Sequence, residues 1–308
     1  MIVERAVPLG GSVTIDGEDV TDELALKSGI TAEDIFIDIP KTPVRTGVVY
    51  AMGAIYALCY ENSTKYFYKY DGESWTLISK NVPCFSSRYD SRSIVYNDEI
   101  CVVYNNKIYK YDGEAWTSIN LPVTTLGQPS MFVYNNELHM VDNDLSGATN
   151  SYYKWDGNSF TLICNITKDS DYNYAYSFVY NDEIYCYHWG LGAYKLINGA
   201  FARDTSLDGK IINRCSDSNG AFLGHVYYQG RLYYTLNTTN MWPHFISGLG
   251  VYDGKDASSV HAAQMTNEQL HMCTSLFNID DKIYIARDDK KIVLASRKMY
   301  YNEKERIL

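Results

Sequence analysis

Tyr68-Lys-Tyr-Asp-Gly-Glu-Ser-Trp75 returns as Tyr109-Lys-Tyr-Asp-Gly-Glu-Ala-Trp116 and again as Tyr153-Lys-Trp-Asp-Gly-Asn-Ser-Phe160. In each copy alternating side chains run into an Asp-Gly pair. That is a strong short-range hairpin signal, because a type I′ turn needs positive φ at both central positions. Read as a two-residue loop, Asp71-Gly72 sets Tyr68 opposite Trp75, and the same count pairs Tyr109 with Trp116 and Tyr153 with Phe160. Such aromatic cross-strand pairs contribute roughly 0.2 to 1 kcal/mol each relative to Ala-Ala. The phrase is therefore a structural unit first.

A second marker precedes the phrase. It reads Ile94-Val-Tyr-Asn-Asp-Glu-Ile100, Phe132-Val-Tyr-Asn-Asn-Glu-Leu138, Phe178-Val-Tyr-Asn-Asp-Glu-Ile184 and, more loosely, Val226-Tyr-Tyr-Gln-Gly-Arg-Leu232. Val48 to Ile55 and Phe277 to Ile283 are weaker relatives. Central positions at 50, 96, 134, 180, 228 and 279 give intervals of 46, 38, 46, 48 and 51 residues. Periods of ~40 to 50 residues with four strands each belong to propeller blades. One unit reads strand by strand as Ser93 to Tyr96, Glu99 to Tyr104, Lys107 to Tyr111 and Glu114 to Ile119, joined by turns at Asn97-Asp98, Asn105-Asn106 and Asp112-Gly113. A four-stranded sheet cannot bury both faces alone, so such units must stack around an axis.

The expected fold is all-β: a six-bladed β-propeller of four-stranded antiparallel blades over residues 45–308, with a short N-terminal extension, residues 1–44, as an arm for docking, blade closure or both. The last unit ends without the Asp-Gly phrase, so another segment must complete it. Asp34 to Ile39 and Val293 to Tyr301 are the two candidates. Within the arm, Val13 to Glu18 reads as a small hairpin, Thr21 to Leu26 as a short helix, and Thr31-Ala-Glu-Asp34 as a capping box. Removing residues 1 to 40 is expected to leave the propeller folded and to abolish assembly.

Composition agrees with a globular chain. Of 308 residues 46% are apolar and 21% charged, and 29 tyrosines favour strands. A net charge of −10 repels phosphate backbones and anionic lipid, which argues against nucleic-acid partners. The N-terminus lacks the basic and then apolar run of a signal peptide, and no stretch approaches ~18 uninterrupted apolar residues, so no membrane insertion is expected. Seven cysteines without Cys-x-x-Cys spacing read as buried free thiols in a reducing cytoplasm.

In an up-and-down blade, the turns joining strands 1 to 2 and 3 to 4 share one face. The loops joining strands 2 to 3 and successive blades share the other. The short turns fall on the first face. The long connections fall on the second: Tyr60 to Lys65, Pro83 to Arg92, Asp142 to Ser151, Lys168 to Tyr174, Tyr187 to Leu191, Asp204 to Gly220 and Leu236 to Leu249. Recognition concentrates on loops held by a rigid scaffold. That face gathers Tyr60, Arg88, Tyr89, Asp90, Asp142, Asn143, Asp144, Asp171, Tyr172, His188, Trp189, Trp242 and His244 as candidate ligand-binding residues. Aromatic planes beside Asp and Asn suit sugar rings, and the same mixture suits protein hot spots.

Catalytic and metal readings find little. The phrase places its aromatic four residues after Asp, one short of the Asp-box spacing of sialidase-like propellers, and no arginine triad accompanies it. The six histidines show no His-Glu-x-x-His arrangement, and the spacing after Asp142-Asn-Asp144 does not continue as a calcium loop. His139, between Leu138 and Met140, reads as structural. No cofactor, metal or catalytic residue is expected.

The Tyr, Asp-Gly and Trp spacing over residues 45 to 290 resembles the Kelch family of β-propellers. It departs where Kelch blades carry a double glycine and this chain has Asn-Asp, Asn-Asn or Gln-Gly. With the tyrosine density, that looks more like the Kelch-like repeats of bacteriophage tail and virion proteins. The resemblance implies a non-enzymatic module of a virion, made in the host cytoplasm, with the arm on other virion or tail subunits and the loop-rich face on a host-surface glycan or protein. Other readings are a purely structural virion component, a carbohydrate-active enzyme and a cytoplasmic Kelch-type adaptor.

Overall fold

Seven adjacent pairs adopt positive φ together among the described residues: Met52-Gly53, Asn62-Ser63, Asn97-Asp98, Asn105-Asn106, Asn135-Asn136, Asn181-Asp182 and Asn198-Gly199. This is the type I′ condition, and asparagine tolerates the left-handed region because its short polar side chain bonds locally. The chain is therefore folded back on itself at close intervals. The structure is a computed structural model that describes residues 14–15, 18–19, 35–84, 92–121, 129–142, 149–167, 175–188, 192–207, 225–228, 230–238, 246–252, 257–261, 273–279 and 282–295.

Strands β1 (Thr14–Ile15) and β2 (Glu18–Asp19) form the expected small hairpin, and β3 (Ile35–Asp38) follows. Next come β4 (Thr42–Ala51), β5 (Ala54–Glu61), β6 (Thr64–Tyr70) and β7 (Trp75–Lys80), hydrogen-bonded in that order. The second sheet holds β8 (Arg92–Tyr96), β9 (Glu99–Tyr104), β10 (Lys107–Tyr111) and β11 (Trp116–Asn120). The third holds β12 (Ser130–Tyr134), β13 (Glu137–Val141), β14 (Thr149–Trp155) and β15 (Phe160–Thr167). The fourth holds β16 (Ala175–Tyr180), β17 (Glu183–His188), β18 (Gly192–Ile197) and β19 (Ala200–Asp204). The fifth holds β20 (His225–Tyr228), β21 (Arg231–Thr238), β22 (Ile246–Tyr252) and β23 (Ala257–His261). The last consists of β24 (Cys273–Ile279), β25 (Lys282–Arg287), β26 (Lys291–Ala295) and, returning from the start of the chain, β3. All pairings are antiparallel. The first strands touch in the cyclic order β4, β8, β12, β16, β20, β24 and back to β4. This is an all-β propeller of small antiparallel sheets.

Of the two candidates for completing the last sheet, the N-terminal one is used: Ile37 faces Ile292, Asp38 faces Lys291, and the Ile39 N–H donates to the Lys290 carbonyl at 2.6 Å. Residues 35 to 44, counted with the arm in the sequence, thus lie within or beside the sheets. Loss of residues 1 to 40 would remove a strand from the last sheet, which argues against the expectation that the propeller folds without them. The helix and capping box read in residues 21 to 34 lie outside the described residues.

The register of the repeated phrase also differs from the sequence reading. Trp75 faces Tyr70, Trp116 faces Tyr111, and Phe160 faces Trp155, while Tyr68, Tyr109 and Tyr153 face Leu77, Ser118 and Leu162. The cause is the Asp side chain. Asp71 Oδ1 accepts the N–H groups of Glu73 and Ser74, each at 2.9 Å, which stretches the loop to four residues. Asp112 does the same with Glu114 and Ala115, and Asp156 with Asn158 and Ser159. The following glycines take φ of +108°, +105° and +100°, which side chains avoid. The Tyr70 and Tyr111 hydroxyls donate to the carbonyls of Gly72 and Gly113 at 2.9 and 2.7 Å. Backbone hydrogen bonds hold all three carboxyls below their ordinary range. Because the folded-state value is depressed, their contribution is present at neutral pH and is lost as pH falls through it.

The rest of the repeated vocabulary has equally local causes. The lysine of the phrase meets the glutamate after the Asn-Asp turn across strands 2 and 3: Lys110 with Glu99, Lys154 with Glu137 at 2.7 Å, and Lys195 with Glu183 at 2.5 Å. Partly exposed pairs of this kind are worth about 0 to 1 kcal/mol each. The aromatic pairs, with ring centroids 5.1 to 5.2 Å apart, pack against the preceding blade. Tyr111 and Trp116 close on Phe67 and Tyr56. Trp155 and Phe160 lie on Cys101, Val103 and Ile108, and Tyr252 on Phe178 and Tyr185. Tyr70 and Trp75 join Phe277, Tyr284, Ile292 and Ile39 across the closing junction. The core is thus a set of wedges between blades.

Candidate functional site

The first strands begin on the side where the chain arrives from the preceding blade, and each of the six brings one small hydroxyl or imidazole near that end: Thr46, Ser93, Ser130, Ser177, His225 and Ser275. Neighbouring first strands share no ladder, so their edge N–H groups need other acceptors. The hydroxyls supply them. Thr46 Oγ1 accepts the Ser93 N–H at 3.1 Å, and Ser93 Oγ donates to the Thr46 carbonyl. Ser130 Oγ accepts the Ser177 N–H at 2.9 Å, and Ser275 Oγ accepts the Val48 N–H at 3.0 Å, which ties the last blade to the first. On the opposite face Asp98 Oδ1 accepts the Met52 N–H at 2.6 Å, stitching one turn to the next.

Inside this ring lies a cavity of about 470 Å³. Its wall runs from the hydroxyl level, past Val48, Val95, Val133 and Val179, to Tyr50, Tyr227 and Asn278 near the short turns. Among the described residues the lining contains no Asp, Glu, Lys or Arg. His225 occupies the hydroxyl position of the fifth blade, with its ring edge-on to Phe178 at 6.3 Å. Burial penalises its imidazolium and pushes the pKa down to about 4. The ring is therefore neutral at pH 7.

That shift gives a test. The folded pKa lies below the ordinary value near 6.5, so the unfolded chain takes up the proton first. Stability is full above about pH 6.5 and falls as pH drops toward 4. Denaturant titrations at pH 7.5 and pH 5 are expected to show a smaller loss for His225→Asn than for the parent chain. An equal loss in both would mean that other groups set the slope. His139 contributes in the same direction, since burial lowers its pKa as well.

His139 is structural, as its alternation implied. It is 4% exposed, its Nδ1 lies 2.8 Å from the Tyr152 hydroxyl, and its ring lies beside those of Phe132 and Tyr152 and nearly parallel to both. It faces Phe132 as Tyr185 faces Phe178 and Tyr284 faces Phe277. Cys59, Cys84, Cys101 and Cys186 are buried free thiols. Burial raises Cys101 and Cys186 to about 12, which leaves them inert as nucleophiles. Among the described residues no three His, Cys, Asp or Glu side chains gather as a metal site.

The loop-face candidates divide. Tyr60 is not a loop residue: it lies in β5 opposite Lys65, because Asn62-Ser63 closes a two-residue turn where a longer loop was read. Asp142 follows β13, is 5% exposed and donates its N–H to the Ser151 carbonyl at 2.9 Å. His188 ends β17 opposite Ala175 and Gly192. Arg88, Tyr89, Asp90, Asn143, Asp144, Asp171, Tyr172, Trp189, Trp242 and His244 lie outside the described residues. The hydroxyl ring was missed in the sequence, although each member stands three to five residues ahead of the last residue of its strand.

The fold places the chain in the class of β-propellers. It is similar in structure to a catalytically inactive virginiamycin B lyase from Staphylococcus aureus solved with quinupristin, at a TM-score of 0.50 and 10% identity, covering 86% of this chain and 96% of that one. It is also similar to the extracellular domain of the one component system BT4673 from B. thetaiotaomicron, at a TM-score of 0.53 and 14% identity over 85% of this chain and 40% of that chain. At these identities the likeness is one of fold alone. No family model and no curated protein matches the chain, so the Kelch resemblance rests on the quoted residues.

Proposed function

We propose that the chain is a closed six-bladed propeller acting as a non-enzymatic binding module, a component of a phage particle or phage-like tail that contacts a host-surface glycan or protein. The observation that carries the binding reading is the inequality of the two faces. One is finished by short turns such as Asn97-Asp98 and Asn181-Asp182 and by the Asp-Gly loops, whose polar groups are spent on the fold. On the other the chain travels from Lys80 to Arg92, from Val141 to Thr149, from Asp204 to His225 and from His261 to Cys273 between strands. Connections of that length on a rigid scaffold are where recognition concentrates. The six first strands in cyclic contact support the blade count, and the segment before Ile35 is the proposed attachment to neighbouring subunits.

The test is binding of the intact chain to host envelopes and glycan arrays. Trp242→Ala and Trp189→Ala are expected to weaken binding tenfold or more, about 1.4 kcal/mol, while Asp98→Asn on the short-turn face leaves it unchanged. Turnover of reporter glycosides would instead establish an enzyme.

A further inference from the structure

We infer that the axial cavity binds a neutral, hydroxyl-rich ring of monosaccharide size, with Ser93, Ser130 and His225 at one end and Tyr227 at the other. The inference names a ligand class for the recognition reading and rests on that reading only for the ligand's biological source. The cavity's 470 Å³ lies within the range of about 300 to 1,000 Å³ of small-molecule sites. Its described lining offers no counter-charge, so a charged ligand would be desolvated without compensation.

The wall nevertheless has directional polar capacity. A serine hydroxyl has one donor and two acceptor sites. Ser130 accepts one backbone N–H, which leaves its hydroxyl proton to donate, whereas Ser275, 1% exposed, serves the Val48 N–H. Ser93 donates to a carbonyl, which leaves acceptor capacity. His225 lines the cavity at the same level. At the other end Tyr227 is 38% exposed, and its edge-on contact with Tyr180 at 5.6 Å fixes its plane. A donor and an acceptor at one end with a partly exposed aromatic ring at the other match a pyranose, whose hydroxyls need both kinds of partner and whose C–H face stacks on rings.

Calorimetric titration of the full chain with glucose, galactose and N-acetylglucosamine, alongside N-acetylneuraminic acid and glucosamine, tests this. At least one neutral sugar is expected to bind saturably, and the charged sugars at least tenfold more weakly. Tyr227→Ala and Ser93→Ala are each expected to weaken the neutral sugar about tenfold, the effect of roughly 1.4 kcal/mol. Tyr227 is exposed enough for its variant to fold even if Ser93→Ala does not. Absence of saturable binding by neutral sugars, or equal binding of charged ones, overturns the inference. Binding that survives both cavity variants but is lost in Trp242→Ala also overturns it and leaves loop-face recognition standing. Cavity binding without any host recognition removes the recognition reading alone.

Discussion

A chain beginning at Ile39 is expected to lose cooperative folding, whereas one beginning at Asp34 melts close to the full-length protein. The difference between the two is β3. Its loss removes the ladder to β26, several backbone hydrogen bonds worth about 0.5 to 1.5 kcal/mol each. It also removes Ile37 from the closing cluster and leaves the burial of Ile39, 2% exposed and worth about 1.5 to 3 kcal/mol, without its strand. Together these approach about 5 kcal/mol, against a total of about 5 to 15 kcal/mol for a typical domain. The vacated edge of β26 also becomes a template for pairing with other chains. Circular-dichroism melts and size-exclusion profiles separate the outcomes. Equal melting of the two truncations would mean that the ring holds without its returning strand.

The second large effect is expected at Phe67. This side chain is fully buried, with Tyr56, Tyr111 and Trp116 at centroid distances of 5.6, 4.9 and 5.2 Å, so it fills the junction between the first two blades. Its neighbours are anchored in two different sheets and cannot collapse into the space left by truncation. Phe67→Ala is expected to cost about 3 to 5 kcal/mol, read as a fall in the denaturant midpoint. Leu77→Ala, on the outermost strand of the same sheet and 41% exposed, is expected to stay within about 0.5 kcal/mol. Comparable shifts at both sites would contradict the view that the core is divided among the blade junctions.

Much of this architecture was legible because it repeats. The Asn-Asp and Asn-Asn pairs marked type I′ turns correctly, since positive φ at two successive residues is a demand few side chains meet. Asp-Gly was misread for a physical reason: it too signals a tight turn, but the Asp71 carboxylate captures two N–H groups and turns the same letters into a four-residue loop. Asn62-Ser63 was missed because serine is a weak marker for the left-handed region. The hydroxyl ring was overlooked because each member is a single ordinary residue whose purpose appears only when six strand edges meet. Recognition residues are harder still, since binding loops differ from blade to blade and periodicity offers no purchase on them.

The pairing of β3 with β26 joins the beginning of the chain to its end, as does the bond from Ser275 to Val48. Each of the five intervening sheets can complete itself as it leaves the ribosome. The last one requires a strand made before any of them, held unpaired until β26 has been made. Closure therefore couples one end of the ring to the other: a chain that stops short of β26 leaves β3 without its ladder. Such a latch would let the ring close only in chains that carry both β3 and β26.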